Sequence, residues 1–131
     1  MSPSAPRILL AVAALVFAGG AALHAAVFFK AAGARLDAAG LGPLMLGEVK
    51  TLWLADSTTL GALALICGYL AARPAAAGRD VVLLVALVPA GTTALLYAFL
   101  GGFFAAHLLA LATAMVVAAG LMTPARRLAS A

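Results

Sequence analysis

Three ionisable side chains, His24, Asp56 and His107, lie inside otherwise apolar stretches, and Tyr97 sits near the end of another. A charged group at the centre of a membrane-spanning helix costs about 2.5–3.5 kcal/mol on insertion scales, so such groups are paired or serve a function. Three kinds of chemistry fit these residue types. Asp56 accepting a hydrogen bond from His24 or His107 would make a polar knot that sets helix register, because buried polar groups are expensive unless paired. The same carboxylate flanked by histidines would make a small-ligand or proton site. Two histidines could also ligate a haem iron axially, or join Asp56 in a three-ligand transition-metal site. The metal and haem chemistry has the least support, since no HxxxH or HExxH spacing puts two ligands on one helix face. Trp53, three residues before Asp56, is expected in an interfacial aromatic belt with Phe28-Phe29 and Phe103-Phe104, or else lining the same site.

The elements that must position these residues are long and apolar. Of 131 residues, 66% are hydrophobic and only 9% charged, and the mean hydropathy is +1.19. A soluble domain is about 25% charged, and one of this size could not hide so much apolar surface from water. Lipid is the consistent solvent. The apolar runs fall at about 8–29, 51–72, 81–100 and 103–122, with a polar connection over 30–50. They are continuous rather than alternating and rich in Ala and Leu, which predicts helices and not a strand barrel. The expected fold is an all-α membrane protein, a single antiparallel four-helix transmembrane bundle.

Punctuation supports these bounds. Arg73-Pro74, Gly101-Gly102 and Thr123-Pro124 end the last three runs, while Gly33, Gly40, Gly42, Gly47 and Pro43 break up the first connection. Pro43 is also suited to a first helical turn leading straight into the second span. The first run, with Arg7 before it and Gly19-Gly20-Ala21-Ala22 within it, has features of a secretory signal. It continues to Phe29 and is expected to remain as a span. Small residues for close helix packing are Ala13-Ala14, the Gly61/Gly68 pair, and Ala105-Ala106, Ala110, Ala112 and Ala114. Pro89 leaves the Val85 carbonyl without its helical partner, and Thr92 and Thr93 are placed to rebond freed backbone groups.

Depth follows from spacing. His24 lies six residues before Lys30 and Asp56 six after Lys50, each about 9 Å inside that boundary at 1.5 Å per residue. His107, five residues after Gly102, is about 7–8 Å in from the same side, and Tyr97 is similarly placed. The four residues, from four helices, therefore share one layer. Arg7, Arg73, Arg79, Arg126 and Arg127 fall on one side of the membrane and Lys30, Arg35 and Lys50 on the other. The positive-inside rule then puts both termini in the cytoplasm and the polar layer in the non-cytoplasmic half.

Other classes are disfavoured. The net charge is +4, but the basic residues stand singly or in pairs at span ends with no aromatic-interleaved patch, so no nucleic-acid partner is expected. Cys67 is the lone cysteine and reads as a small buried hydrophobe. There is no GxSxG and no phosphate-binding glycine loop, and Ser57 has no base partner beyond the two histidines. The layout resembles that of small bacterial four-helix membrane proteins, which implies the inner membrane; no motif assigns a family.

The expected function is non-enzymatic. The chain would be a binding or accessory subunit holding a lipid-like or small amphipathic ligand through His24, Asp56, Tyr97, His107 and Trp53, alone, as a homo-oligomer or in a larger membrane complex. The alternatives are a haem or metal redox subunit using His24, His107 and Asp56, and an oligomeric proton-coupled transporter.

Overall fold

The computed structural model describes residues 4–124; Arg126 and Arg127, used in the topology argument, lie outside the described residues. Those residues form four helices long and apolar enough to cross a membrane: α1 (Ser4–Asp37), α2 (Pro43–Ala72), α3 (Arg79–Leu100) and α4 (Phe104–Met122). No strand occurs among the described residues.

The polar connection expected over 30–50 is largely helical. α1 runs on to Asp37 and α2 starts at Pro43, leaving only 38–42 between them. Gly33 and Gly47 are absorbed into helix at about 1 kcal/mol each relative to alanine. The chain breaks only where Gly40 takes φ +68° and Gly42-Pro43 sets the next N-terminus, with proline in the first turn where its missing N–H is not needed. At 1.5 Å per residue α1 and α2 are about 50 and 45 Å long, against about 33 and 28 Å for α3 and α4. The first hairpin therefore outreaches the second.

α1 packs against both α2 and α4, and α4 against α3, whereas α2 and α3 hardly touch despite their short connection. α1 takes the central place, and small side chains let α2 approach it closely. The Ala14 methyl lies 3.9 Å from the Cβ position of Gly68, and Gly20 faces Leu60. Along α1 the contacts run Arg7 to Ala71, Ala14 to Gly68, Gly20 to Leu60 and His24 to Ser57. Along α3 they run Val82 to Gly120, Thr93 to Thr113 and Tyr97 to His107. In each pair numbers rise on one helix as they fall on the other.

The core stripes repeat at helical spacing. Leu10, Ala13, Ala14 and Phe17 on α1 meet Leu63, Cys67 and Leu70 on α2, with Val82 and Ala86 on α3 and Ala112, Val116 and Ala119 on α4. Burial is concentrated in the half of the molecule that holds the N-terminus of α1. Most large apolar side chains, Leu15, Leu65, Leu87 and Phe99 among them, point outward. The Arg7 Nε donates to the Ala71 carbonyl (3.0 Å), capping the C-terminal end of α2 where a cation meets the negative end of the helix dipole.

Three packing expectations need correction. A Cβ at Gly61 would meet nothing within 4 Å, so only Gly68 of that pair is a packing glycine. Ala105 and Ala114 are exposed; Ala106 and Ala112 are the buried ones. Thr92 and Thr93 bond the carbonyls of Val88 and Pro89, four residues back, not that of Val85. A threonine hydroxyl reaches one turn along its own face, and Val85 lies two turns away.

Gly101, between α3 and α4, has φ +74° and ψ −169°, a conformation essentially confined to glycine. Gly101→Ala is expected to cost about 1–3 kcal/mol, read as a lower denaturation midpoint in detergent. Gly102→Ala, whose backbone is ordinary, serves as the control.

Candidate functional site

The residues of the expected polar layer form two pairs, one on each hairpin. On α1 and α2, His24 and Phe28 are four residues apart, and Trp53, Asp56 and Ser57 stand at i, i+3 and i+4, so each set shares a helix face. The two faces meet. The His24 imidazole stacks on the Trp53 indole with centroids 4.8 Å apart and planes 19° from parallel. The indole Nε1 donates to the His24 carbonyl at 3.1 Å, tying ring to backbone across the helices. His24 Nδ1 is 2.9 Å from Ser57 Oγ, and Nε2 is 3.6 Å from Asp56 Oδ2, an ion pair whenever the imidazole is protonated.

A π-helical turn at Phe28–Ala32 lies just beyond His24. Its extra residue re-phases the helix by about 100°. Phe28 is turned in, 7% exposed and 6.2 Å from the Trp53 ring, while Phe29 is 75% exposed. Phe28, expected in an outward-facing belt, is instead packed inward near Trp53. Beyond the turn, Lys50 Nζ reaches Asp37 at 2.6 Å and Glu48 is exposed.

The second pair is on α3 and α4. Tyr97 Oη and His107 Nδ1 are 2.5 Å apart, and both side chains are exposed. No hydrogen bond or ring contact joins this pair to His24 or Asp56 among the described residues. The metal set His24, His107 and Asp56 is accordingly not assembled: no three His, Cys, Asp or Glu side chains among the described residues group as a metal site requires. A haem held by both histidines would need the imidazoles to face each other, and each is instead turned to partners on its own hairpin.

Ser57 is the site residue that sequence reasoning set aside. It is 9% exposed and adjoins Asp56, and its position four residues after Trp53 was the available signal. Serine, histidine and aspartate in this order suggest acyl transfer, but the surroundings do not support it. Ser57 lies in the middle of α2, where backbone N–H groups are committed to i−4 carbonyls, so none can hold an oxyanion. The arrangement is suited to binding: Asp56, with its side chain 39% exposed, presents a carboxylate beside a stacked aromatic surface.

No protein-family model matches the chain, and no curated protein or solved structure is similar to it.

Proposed function

We propose that this chain is an integral protein of a bacterial inner membrane, an antiparallel four-helix transmembrane bundle with both termini in the cytoplasm. In this reading it is a non-enzymatic binding or accessory subunit. The two hairpins with oppositely running contacts support the antiparallel arrangement, and the outward-facing leucines and phenylalanines support lipid as the surrounding solvent. Its partners lie chiefly within the membrane: lipid, further copies of itself, or the helices of a larger complex.

The ligand is a small amphipathic or lipid-like molecule with a basic head. The observation that carries this is the half-exposed Asp56 carboxylate beside the His24–Trp53 stack, on a hairpin whose tight core lies at the other end. A cationic head would pair with Asp56 and lie against the aromatic surface. Its tail would run along the apolar exterior of α1 and α2.

Trp53 is the only tryptophan, so its fluorescence reports on this site alone. Dodecylamine, titrated into the protein in nanodiscs, should change Trp53 emission saturably, and dodecanol should do so much more weakly. Asp56→Asn is expected to weaken the amine response about tenfold or more, the scale of a lost charge-assisted hydrogen bond. An unsaturable response, or an unchanged one in Asp56→Asn, would overturn the reading.

A further inference from the structure

We infer that the Tyr97–His107 pair is a second binding site, separate from the first and of opposite polarity, which takes the neutral carbonyl oxygen of a membrane-dissolved amphiphile. The inference rests on the membrane placement proposed above and not on the basic ligand at Asp56.

The pair itself sets the donor. Tyr97 Oη and His107 Nδ1 are in hydrogen-bond contact; a phenol is the stronger donor of the two, which assigns Tyr97 as donor and Nδ1 as acceptor. The imidazole proton then resides on Nε2. That nitrogen has no hydrogen-bond partner among the described residues, and its side chain is exposed. Beside it the chain keeps space open. A Cβ at Gly102 would lie 3.5 Å from Nε2 and 3.4 Å from Cε1, in ordinary contact, so alanine fits there whereas a branched side chain such as valine would crowd the free donor.

The surroundings define the acceptor. Residues 81–125 contain no Asp, Glu, Lys or Arg, so this stretch of α3 and α4 itself offers no cation to neutralise a phosphate or carboxylate, and no carboxylate to attract an amine. Phe99, Phe103 and Phe104, close by in the chain, are exposed and add apolar surface at this end of α3 and α4. A neutral carbonyl on an apolar or aromatic frame matches a lone N–H donor in such a setting. Two membrane molecules carry that chemistry: the ester of a glycerolipid and the ring carbonyl of a quinone.

The chain has two histidines, so protein labelled with nitrogen-15 histidine gives two imidazoles, assigned by His24→Gln. In nanodiscs of ether-linked lipid, which lack ester carbonyls, decylubiquinone should shift the His107 Nε2 resonance saturably and leave His24 in place if the quinone is the ligand. If the ester is the ligand, His107 Nε2 should shift on exchange of ether-linked for ester-linked lipid with no quinone present. Tyr97→Phe frees the tautomer and should weaken either response about tenfold. Gly102→Val should suppress it while keeping the Nδ1 resonance of a ring bonded to Tyr97. Silence of His107 in both arms, equal movement of His24, or a wild-type response from Gly102→Val would each overturn the inference. None of these outcomes touches the Trp53 titration, so the two sites stand or fall separately.

Discussion

Gly120→Leu is expected to disrupt the α3–α4 pairing. A Cβ at this position would fall 2.7 Å from Leu83 Cδ2, 2.9 Å from Leu83 Cγ and 3.3 Å from Val82 Cγ1. The Leu83 terminal methyl can turn aside, but Cγ moves only with the backbone or a change of rotamer. Gly120→Ala alone should therefore cost about 1–3 kcal/mol, the range for overpacking a filled interface. Leucine adds three more carbons to the same contact. Helix association in lipid depends on close packing, with little hydrophobic drive to offset a gap. Denaturation by sodium dodecyl sulfate from mild detergent, followed by circular dichroism, measures the effect. Gly91→Ala is the control: a Cβ there meets nothing within 4 Å, and exchanging a mid-helix glycine for alanine should be neutral or stabilise by up to about 1 kcal/mol. Equal midpoints for Gly120→Leu and the unaltered protein would mean that α3 and α4 do not approach here.

His24→Ala should have the second large effect, because one ring holds three partners. The substitution removes the Ser57 bond, the stack on Trp53 and the imidazole nitrogen that faces Asp56. Ser57 is then left buried with only a long 3.5 Å bond to the Trp53 carbonyl, and Asp56 is left without its ring partner on a long apolar helix. A loss of about 1–3 kcal/mol is expected, the cost of stranding such groups; the partial exposure of Asp56 keeps it from being larger. Trp53 emission should change in the same variant, since its stacked neighbour is gone. Adding Asp56→Asn to His24→Ala should restore part of the stability, because the stranded charge goes with it. Strictly additive losses in that double-mutant cycle would show that the two side chains do not interact.

Which residues share a level along paired helices was legible in the sequence, and their grouping into sites was not. Counting residues from Lys30, Lys50 and Gly102 put His24, Asp56, Tyr97 and His107 in one layer, and His24 does meet Asp56 as Tyr97 meets His107. The same counting could not tell one four-membered site from two pairs. Which way a side chain points around its helix depends on how the helices are rotated against each other. On α1 it also depends on the π-helical turn at Phe28–Ala32, which no residue in FFKAA announces. Gly120 was illegible for a similar reason. It resembles a dozen other glycines until Leu83 is packed against it.

The sequence by itself determined the helical, lipid-compatible character of the chain, where most helices end, and the level of its polar groups. These follow from composition, from proline and glycine punctuation, and from a constant rise per residue. The tertiary structure alone decided that α1 is the central helix, that α2 and α3 stand apart, and that the polar layer divides between two hairpins. Within each hairpin the pairing turns on which small residues permit close approach, Ala14 against Gly68 and Gly120 against Leu83. Shape complementarity of that kind exists only once two surfaces are brought together.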